Sequence, residues 1–383
     1  MEINLYNDDC LKILQAFVDN SIDAIVTDPP YGIKFMGKKW DYTIPSVDIW
    51  KECLRVLKPG GHILVACGTR TQHRMACNIE DAGFEIRDLI AWIYGSGFPK
   101  SLNIGKAVDE LQGTERLEFD NPLAKKQTGQ IDSVAFGTKK QNLKISKGSS
   151  EWEGWGTGLK PAMELWTLAR KPLSEKTVAE NVLKWGVGGI NIDGCRVETQ
   201  DTYSYKKCGG SSFGISKGID GTREYSANNN PNGRFPANVI HDGSEEVLDG
   251  FPNTKSGKSN NNAEIGEQSE NIPYRRGNLI SRFDDGSAAR FFYCAKASSS
   301  ERNENCENKN NHPTVKPIEL MKYLCKLITP KNGTILDPFM GSGSTGVASK
   351  IENFNFIGIE IDENYFKIAE ARINNIKVVN YLF

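Results

Sequence analysis

Residues 337–346, Asp-Pro-Phe-Met-Gly-Ser-Gly-Ser-Thr-Gly, decide the fold prediction. This stretch, the glycine turn, joins an apolar run at residues 334–337, which predicts a strand, to a segment of helical pattern at residues 344–350. Its glycines allow a sharp bend and a close approach of the backbone to a ligand. Glu360, at the end of the next apolar run, can accept hydrogen bonds from both hydroxyls of a ribose. The stretch therefore predicts a strand, a ligand-binding turn and a helix.

Two other interpretations of the glycine turn stay open. Gly341, Gly343 and Gly346 match the G-x-G-x-x-G fingerprint of dinucleotide sites, which is a weak signal on its own. A glycine-rich turn that binds no ligand would have the same composition. Little chain follows the turn, however, for the second half that a dinucleotide site requires.

Strand and helix patterns alternate at both ends of the chain. Apolar runs that predict strands lie at residues 3–6, 22–27, 62–66, 84–92, 334–337 and 354–361. This alternation predicts an α/β fold whose largely parallel sheet is divided between the two ends of the chain. The middle of the chain is polar, and we expect loops at residues 121–150, 200–232 and 253–278. Apolar islands between the loops predict further strands at residues 163–169, 189–195, 235–241 and 289–297.

The composition of the whole chain limits the classes of function. A formal net charge of −1 over 383 residues excludes a strong overall attraction to nucleic acid, so any DNA contact has to come from local patches. The nine cysteines form no Cys-x-x-Cys pair and are accompanied by four histidines, so we expect reduced thiols and no metal site. No apolar run approaches the ~20 residues of a membrane-spanning helix, and we expect a cytoplasmic protein.

A second chemical motif, the Asp28 turn, is Thr-Asp-Pro-Pro-Tyr-Gly at residues 27–32. It follows a predicted strand, at the edge where open α/β sheets bind their ligands. Two prolines stiffen the turn and remove two N–H donors, so it presents the Asp28 carboxylate, the Pro29 carbonyl and the Tyr31 ring. An amino-substituted base would donate to both oxygens and stack on the ring. A strand-ending Pro-Pro turn without chemistry is the alternative.

Three motifs in one order resemble the β-class amino-methyltransferases, which modify adenine N6 or cytosine N4 in DNA. They are the Asp28 turn, His-Pro-Thr-Val-Lys-Pro at residues 312–317, and the glycine turn. The resemblance covers roughly residues 4–100 and 289–372. It implies a Rossmann-like, S-adenosylmethionine-dependent methyltransferase fold in permuted order, with the catalytic motif first and the cofactor loop last. This order accounts for the divided sheet.

The resemblance implies a role for each matching residue. The catalytic motif corresponds to Asp28, Pro29, Pro30 and Tyr31. The S-adenosylmethionine site corresponds to Asp9, Cys10, Thr314, Lys316, Asp337, Phe339, Gly341, Gly343 and Glu360. Within it, Glu360 would bind the ribose, and Thr314 with Lys316 would lie beside the methionine part. Asp9 and Cys10 would contact the adenine, although a helix cap explains Asp9 nearly as well.

The resemblance also implies a division of the chain and a substrate. Residues 1–170 would form the catalytic half with a polar insert at about residues 110–155, residues 171–290 a smaller, loop-rich target-recognition region, and residues 291–383 the cofactor-binding half. The expected substrate is double-stranded DNA with the target base flipped out, and a homodimer is an option because dimers are common in the family. Candidate DNA-contacting arginines of the recognition region are Arg196, Arg223, Arg234, Arg275, Arg276 and Arg282.

Asp28 favours adenine N6 as the methylated atom, because cytosine-selective members of the family often carry Ser at this position. Cytosine N4 is the first alternative. A nicotinamide oxidoreductase would leave the Asp28 turn unexplained, and a DNA-binding protein without catalysis would not need its acid. The resemblance implies DNA methylation, in the setting of a restriction-modification system, an enzyme that acts alone or a phage enzyme. For the tryptophans, Trp92 is expected in the core, and Trp152 with Trp155 could line the entrance of the pocket.

Overall fold

The structure, a computed structural model, describes residues 1–33, 41–97, 99, 101–120, 144–199, 202–206, 224–227, 233–255, 279–283, 285–295 and 315–376. The helices are α1 (Cys10–Gln15), α2 (Val47–Val56), α3 (Gln72–Asp81), α4 (Ile104–Gln112), α5 (Val178–Trp185), α6 (Glu245–Leu248), α7 (Ile318–Ile328), α8 (Ser344–Ile351) and α9 (Glu363–Asn374). The strands are β1 (Ile3–Tyr6), β2 (Ile22–Thr27), β3 (Leu57–Gly68), β4 (Glu85–Ile93), β5 (Leu117–Asp120), β6 (Lys144–Lys147), β7 (Met163–Arg170), β8 (Thr202–Lys206), β9 (Glu224–Ala227), β10 (Val239–His241), β11 (Asn253–Lys255), β12 (Leu279–Phe283), β13 (Asp285–Ser287), β14 (Tyr293–Cys294), β15 (Thr334–Asp337) and β16 (Asn355–Ile359). None of the described helices has the length and apolar composition needed to cross a membrane.

Within the described residues, nine strands form the main sheet in the order β1-β16-β15-β2-β3-β7-β4-β10-β14. Neighbouring strands pair in parallel, except that β7 runs antiparallel to both β3 and β4. The α/β prediction with a largely parallel sheet is therefore confirmed. Strands from the two ends of the chain pair at two places, β1 with β16 and β2 with β15. In the second pair Ala24 lies opposite Ile335 and Ile25 lies opposite Leu336.

β2 is an interior strand of the main sheet, and helices cover both of its faces. All six residues of β2 are buried. Successive side chains of a strand point to opposite faces, and here Val26 packs with residues of α7 and α8, whereas Ile25 packs with residues of α1 and α2. A continuous apolar run is typical of a parallel strand that is covered on both sides. This packing fixes the carboxyl end of β2, where the Asp28 turn begins.

Some short elements differ from the predictions. The strand predicted at residues 189–195 is wrong, because the Asn191 side chain accepts a hydrogen bond from the Gly194 N–H and closes a turn, and such bonds compete with strand pairing. The loop predicted at residues 200–232 contains β8 and β9, which form a three-stranded sheet with β12. β10 comes from the predicted recognition region, yet it extends the main sheet beside β4. The division of the chain into three parts stays a prediction.

Candidate active site

A cavity of about 590 Å³ lies at the carboxyl ends of β1, β2, β15 and β16. Parallel strands of an open α/β sheet bring their following loops to the same edge. The predicted site residues that line this cavity are Asp9, Cys10, Asp28, Pro29, Pro30, Tyr31, Lys316, Asp337, Phe339, Gly341 and Glu360. Gly343 is not among the lining residues, and Thr314 lies outside the described residues. The Asp28 turn and the glycine turn therefore share one cavity.

The Asp28 turn is fixed by two side chains that sequence reasoning missed. The backbone N–H groups of Tyr31 and Gly32 donate to Asp41 Oδ1 at 2.7 and 2.9 Å. Thr71 Oγ1 donates to the Tyr31 carbonyl at 2.6 Å. Asp41 is buried, and a buried carboxylate is tolerated when donors satisfy its oxygens. With the two prolines, these bonds hold the Asp28 side chain at the cavity.

Asp28, Tyr31, Glu164 and Lys316 form a group of interacting side chains, the Lys316 cluster. Lys316 Nζ lies 2.6 Å from Asp28 Oδ2 and 3.2 Å from Tyr31 Oη. The same ammonium lies 3.3 Å from Glu164 Oε2, and Tyr31 Oη donates to Asp28 Oδ1 at 2.7 Å. The Lys316 side chain is only 6% exposed, so its charge depends on these partners. Glu164, which β7 contributes, was not predicted from the sequence.

Burial and neighbouring charges set the protonation of the Lys316 cluster. Burial lowers the pKa of Lys316, but the carboxylates of Asp28 and Glu164 outweigh it and the net shift is upward. Burial raises the pKa of Tyr31, and the same two carboxylates add to the rise. Burial also raises the pKa of Glu164, although Lys316 opposes that shift. At neutral pH Lys316 is therefore a cation and Tyr31 a neutral phenol.

Asp337 connects the two turns inside the protein. Its Oδ1 accepts hydrogen bonds from Thr27 Oγ1 at 2.6 Å and from the Phe339 N–H at 3.1 Å. Its Oδ2 accepts a hydrogen bond from Thr345 Oγ1 at 2.6 Å. Burial raises the pKa of Asp337 to about 6, while these hydrogen bonds oppose the rise. Because Asp337 is buried and accepts three hydrogen bonds within the protein, it shapes the turns rather than presenting a free acceptor.

The glycine turn brings a backbone N–H to Glu360. Gly341 has a left-handed φ of 55°, and its N–H donates to Glu360 Oε2 at 2.8 Å. Glu360 Oε1 accepts from the Asp362 N–H at 2.8 Å. Burial raises the pKa of Glu360, and these backbone bonds oppose the rise. Gly343 has a φ of 81°, and a Cβ there would lie 3.0 Å from Ala369, so Gly343 serves the packing of α8 on α9 in this structure.

Asp9 and Cys10 lie at the start of α1 and at the edge of the cavity. Asp9 is the N-cap of α1, and its side chain accepts from the Lys12 N–H at 3.1 Å. It also lines the cavity, so the helix cap and the cavity position are compatible. Burial, followed by the charge of Asp9, raises the pKa of Cys10 to about 12. The Cys10 thiol is therefore neutral and unreactive.

The tryptophans singled out in the sequence lie away from the cavity lining. Trp92 is 8% exposed and packs in the core, its ring centroid 4.8 Å from that of Tyr94, which confirms the core prediction. Trp152 and Trp155 are 41% and 59% exposed and contact each other, with ring centroids 5.3 Å apart. Neither residue lines the cavity, so the prediction that they form its entrance is not supported.

The candidate DNA-contacting arginines are described only in part. Arg196 Nε donates to Asp193 Oδ1 at 2.7 Å, and the guanidinium of Arg234 lies over the Phe291 ring, 4.5 Å from its centroid. The arginines whose side chains fall outside the described residues are Arg223, Arg275, Arg276 and Arg282. Contact of any of them with DNA stays a prediction.

The lining of the cavity is strongly acidic. Among the described residues that line it, the carboxylates are those of Asp8, Asp9, Asp28, Asp41, Asp337, Glu360 and Asp362, whereas Lys316 supplies the one positive charge. Ile49, Phe339 and Ile361 supply apolar surface. A lining of this kind favours a ligand that carries positive charge together with an apolar or aromatic part.

Comparison with known sequences identifies a family and partial relatives. A family model for DNA methylases, named for N6 and N4 methyltransferases, matches residues 22–371. Type II methyltransferase M2.LlaDCHI of Lactococcus lactis subsp. cremoris is 38% identical over 96 residues, which are 25% of this chain and 34% of the relative. Type II methyltransferase M.HindIII of Haemophilus influenzae is 43% identical over 67 residues, which are 18% of this chain and 22% of the relative. The matches thus span about a third or less of these relatives.

Solved structures give low similarities over nearly the whole chain. The M1.HpyAVI-SAM complex has a TM-score of 0.42 and 18% identity, covering 97% of this chain and 99% of that one. The cytosine-N4-specific PvuII DNA methyltransferase has a TM-score of 0.45 and 14% identity, covering 98% of this chain and 89% of that one. The assignment therefore rests on the family match, which covers most of the chain and confirms the resemblance carried by the three motifs. The chain belongs to the N6/N4 methyltransferase family of DNA methylases.

Proposed function

We propose that the protein is an S-adenosylmethionine-dependent methyltransferase that methylates the N6 amino group of adenine in double-stranded DNA. The observation that carries this proposal is the single cavity into which both the Asp28 turn and the glycine turn open. A base amino group held at the first turn would meet a methyl donor held at the second. The base would reach the cavity by flipping out of the duplex, because stacking and pairing hide its amino group.

The size and charge of the cavity fit S-adenosylmethionine. Its volume of about 590 Å³ lies within the ~300–1,000 Å³ typical of ligand pockets. The acidic lining suits a ligand with an ammonium and a sulfonium group. Each Glu360 oxygen accepts one backbone N–H and keeps a second lone pair for a ribose hydroxyl. Phe339 and Ile49 offer apolar surface for an adenine ring. When bound, this cofactor supplies an activated methyl group on positively charged sulfur.

The same features argue against the nicotinamide dinucleotide alternative. A pyrophosphate carries two negative charges and needs free backbone N–H groups at the turn that opens the helix. The Gly341 N–H is already donated to Glu360. The carboxylates of Asp9 and Asp362 line the same cavity and would repel a pyrophosphate.

The Asp28 turn provides what the transfer requires. Asp28 and the Pro29 carbonyl would accept the two N–H hydrogens of the amino group and draw its lone pair out of conjugation with the ring. Tyr31 would stack on the flipped base. Asp28 and the Pro29 carbonyl would thereby hold the amino nitrogen with its lone pair toward the glycine turn, where the bound cofactor would supply the methyl group. The nitrogen loses one proton, which passes through the Asp28 carboxylate to water, and correct alignment supplies most of the rate.

Asp28 supports adenine as the target base, since the resemblance associates Ser at this position with many cytosine-selective members. Cytosine N4 is the second candidate, because its amino group makes the same two hydrogen bonds. Reading of the DNA sequence is proposed for residues 171–290, with the arginines named above as contacts to bases and phosphates.

Nucleoside analysis tests the proposed function. The full chain is expressed in bacteria that lack their own adenine and cytosine methyltransferases, and their DNA is digested and analysed by mass spectrometry. N6-methyladenine is the expected product. Detection of N4-methylcytosine instead would show that the protein methylates an amino group, but that the target base is cytosine and not adenine. Absence of both modified bases, with folded protein present in the cells, would overturn the proposal.

A further inference from the structure

Glu164 is a partly buried carboxylate beside the candidate catalytic residues, and it has no role in the transfer proposed above. It lies on β7, the antiparallel strand of the main sheet, in register with Gly68 of β3 and Trp92 of β4. Its Oε2 is buried and accepts no hydrogen bond of good geometry from the described residues. That oxygen nevertheless lies 3.3 Å from Lys316 Nζ. Glu164 therefore holds acceptor capacity that the present arrangement leaves unused.

In contrast to Glu164, Asp28 already accepts hydrogen bonds with both of its carboxylate oxygens. Oδ2 accepts from Lys316 Nζ at 2.6 Å, and Oδ1 accepts from Tyr31 Oη at 2.7 Å. An ammonium at this distance withdraws negative charge from the carboxylate and competes with any further donor. The amino group of a base would therefore find Asp28 a weakened acceptor as long as Lys316 stays on it.

The cluster contains a second position for the ammonium. Lys316 Nζ needs to move by only about half an ångström to turn the 3.3 Å contact with Glu164 into a hydrogen bond of ordinary length. The charge would remain paired during the movement, so no buried ammonium is left without a carboxylate. A shift of this size lengthens the Asp28 contact from 2.6 Å to at most about 3.1 Å, so Lys316 weakens its bond to Asp28 without leaving the cluster.

Resting on the function proposed above, we propose that Glu164 is a positioning residue that takes the Lys316 ammonium from Asp28 when the target base enters. Asp28 Oδ2 then accepts one amino hydrogen of the base with less competition from the ammonium, while Tyr31 Oη stays on Oδ1. Glu164 itself touches neither the base nor the cofactor, and it lies outside the cavity lining. Its effect passes through Lys316.

The test compares Glu164→Gln in two backgrounds under single-turnover conditions. Unmethylated bacterial DNA and labelled methyl donor are mixed with excess full-length enzyme. In the native background, E164Q is expected to lower the transfer rate by about tenfold or more, because Lys316 then stays on Asp28. In the Lys316→Met background, E164Q is expected to cause no further loss, since no ammonium remains to be repositioned. The affinity for S-adenosylhomocysteine, measured by calorimetry, is expected to stay within about threefold of wild type on E164Q alone.

Glu352→Gln is the matched control. Glu352 is a carboxylate of similar exposure, 18% against 19% for Glu164, and it also pairs with lysines, at 3.6 Å from Lys322 and 3.5 Å from Lys326. It does not line the cavity. E352Q is expected to transfer methyl groups at the wild-type rate. If E164Q does not fold, Glu164→Asp keeps the charge on a shorter side chain and is expected to lower the rate by a smaller factor.

The outcomes separate this inference from the proposed function. Wild-type enzyme that transfers no methyl group to DNA would remove both. If wild type is active and E164Q transfers methyl groups at the same rate, the role of Glu164 is overturned and the proposed function stands. The same holds for E164D where it replaces E164Q. Equal losses on E164Q in both backgrounds would also overturn it, because they would show an effect that does not pass through Lys316.

Discussion

Thr27 Oγ1 donates a hydrogen bond of 2.6 Å to Asp337 Oδ1 across 310 residues of sequence. Thr27 ends β2 and Asp337 ends β15, so this bond ties the Asp28 turn to the glycine turn. Both side chains are buried. The distance between the proposed base site and the proposed cofactor site therefore depends on a buried hydrogen bond as well as on strand pairing.

Thr27→Val should destabilise the fold by about 1–3 kcal/mol, because a buried carboxylate oxygen loses the shorter of its two hydrogen bonds while the side-chain volume is kept. Urea unfolding measures the loss. Thr329→Val is the control, since Thr329 is also buried but its hydroxyl has no hydrogen-bond partner in the described residues. Equal free energies of unfolding for T27V and wild type would show that the bond contributes nothing.

Asp337 predicts a pH dependence of stability. Its pKa is raised to about 6 by burial, so the folded state binds the proton more strongly than the unfolded state does. The stability that this group contributes is therefore present at low pH and is lost as pH rises through about 6. Relative to Asp337→Asn, which cannot titrate, wild type should lose about 2 kcal/mol between pH 4 and pH 7. Denaturant midpoints across this range check the sign, and a gain in relative stability would contradict it.

Asp28→Ala should abolish methyl transfer, by a factor of at least about 100, because the amino group loses its charged acceptor. Binding of S-adenosylhomocysteine should largely survive, since Glu360 and the glycine turn are unchanged. Filter binding of DNA that has received a labelled methyl group measures the transfer, and calorimetry measures the binding of S-adenosylhomocysteine. The control is Asp48→Ala, which removes a carboxylate that is 74% exposed and pairs only at 3.6 Å with Lys51. A fully active D28A enzyme would refute the catalytic assignment.

Glu360→Gln should weaken cofactor binding by about tenfold or more. The two carboxylate oxygens of Glu360 accept hydrogen bonds from the Gly341 and Asp362 N–H groups. In glutamine the amide NH₂ would face one of these N–H groups, and two donors cannot form a hydrogen bond. The dissociation constant of S-adenosylhomocysteine is the readout. Glu363→Gln, at an exposed ion pair with Lys367, should bind as wild type does. Unchanged affinity of E360Q would remove Glu360 from the cofactor site.

Gly343→Ala should destabilise the fold more than Gly113→Ala. Both glycines have a left-handed φ, 81° and 65°, so both alanines are strained by about 1–2 kcal/mol. A Cβ at position 113 meets nothing, whereas one at position 343 lies 3.0 Å from Ala369. The alanine at position 343 should therefore cost about 1–3 kcal/mol more, from the added overpacking. Equal losses of unfolding free energy for G343A and G113A would show that α9 moves to accommodate the added Cβ without cost.

The two turns could be predicted from the sequence because each is a contiguous motif directly after an apolar strand. Glu164 and Asp41 could not be predicted in the same way, because each is a single acid whose role depends on distant segments. Glu164 reaches Lys316 only because β7 inserts between β3 and β4. An acid near the start of a mainly apolar strand is the local signal that could have identified it.

Gly343 shows another limit of motif reading. The fingerprint assigns it to the ligand, but its φ and its contact with α9 are properties of helix packing. The loop predicted at residues 200–232 was wrong at β8 and β9 for a different reason. The alternating Thr-Tyr-Ser-Tyr-Lys at residues 202–206 has the β-branched and aromatic content of a strand.

The position of β2 between β15 and β3 has a consequence for biosynthesis. The ribosome releases β2 about 300 residues before β15, which supplies its second neighbour. Until then an apolar strand has an open edge, which is a site for aggregation. Nascent chains should therefore need protection by chaperones over most of translation, and products of premature termination should be insoluble rather than partly active.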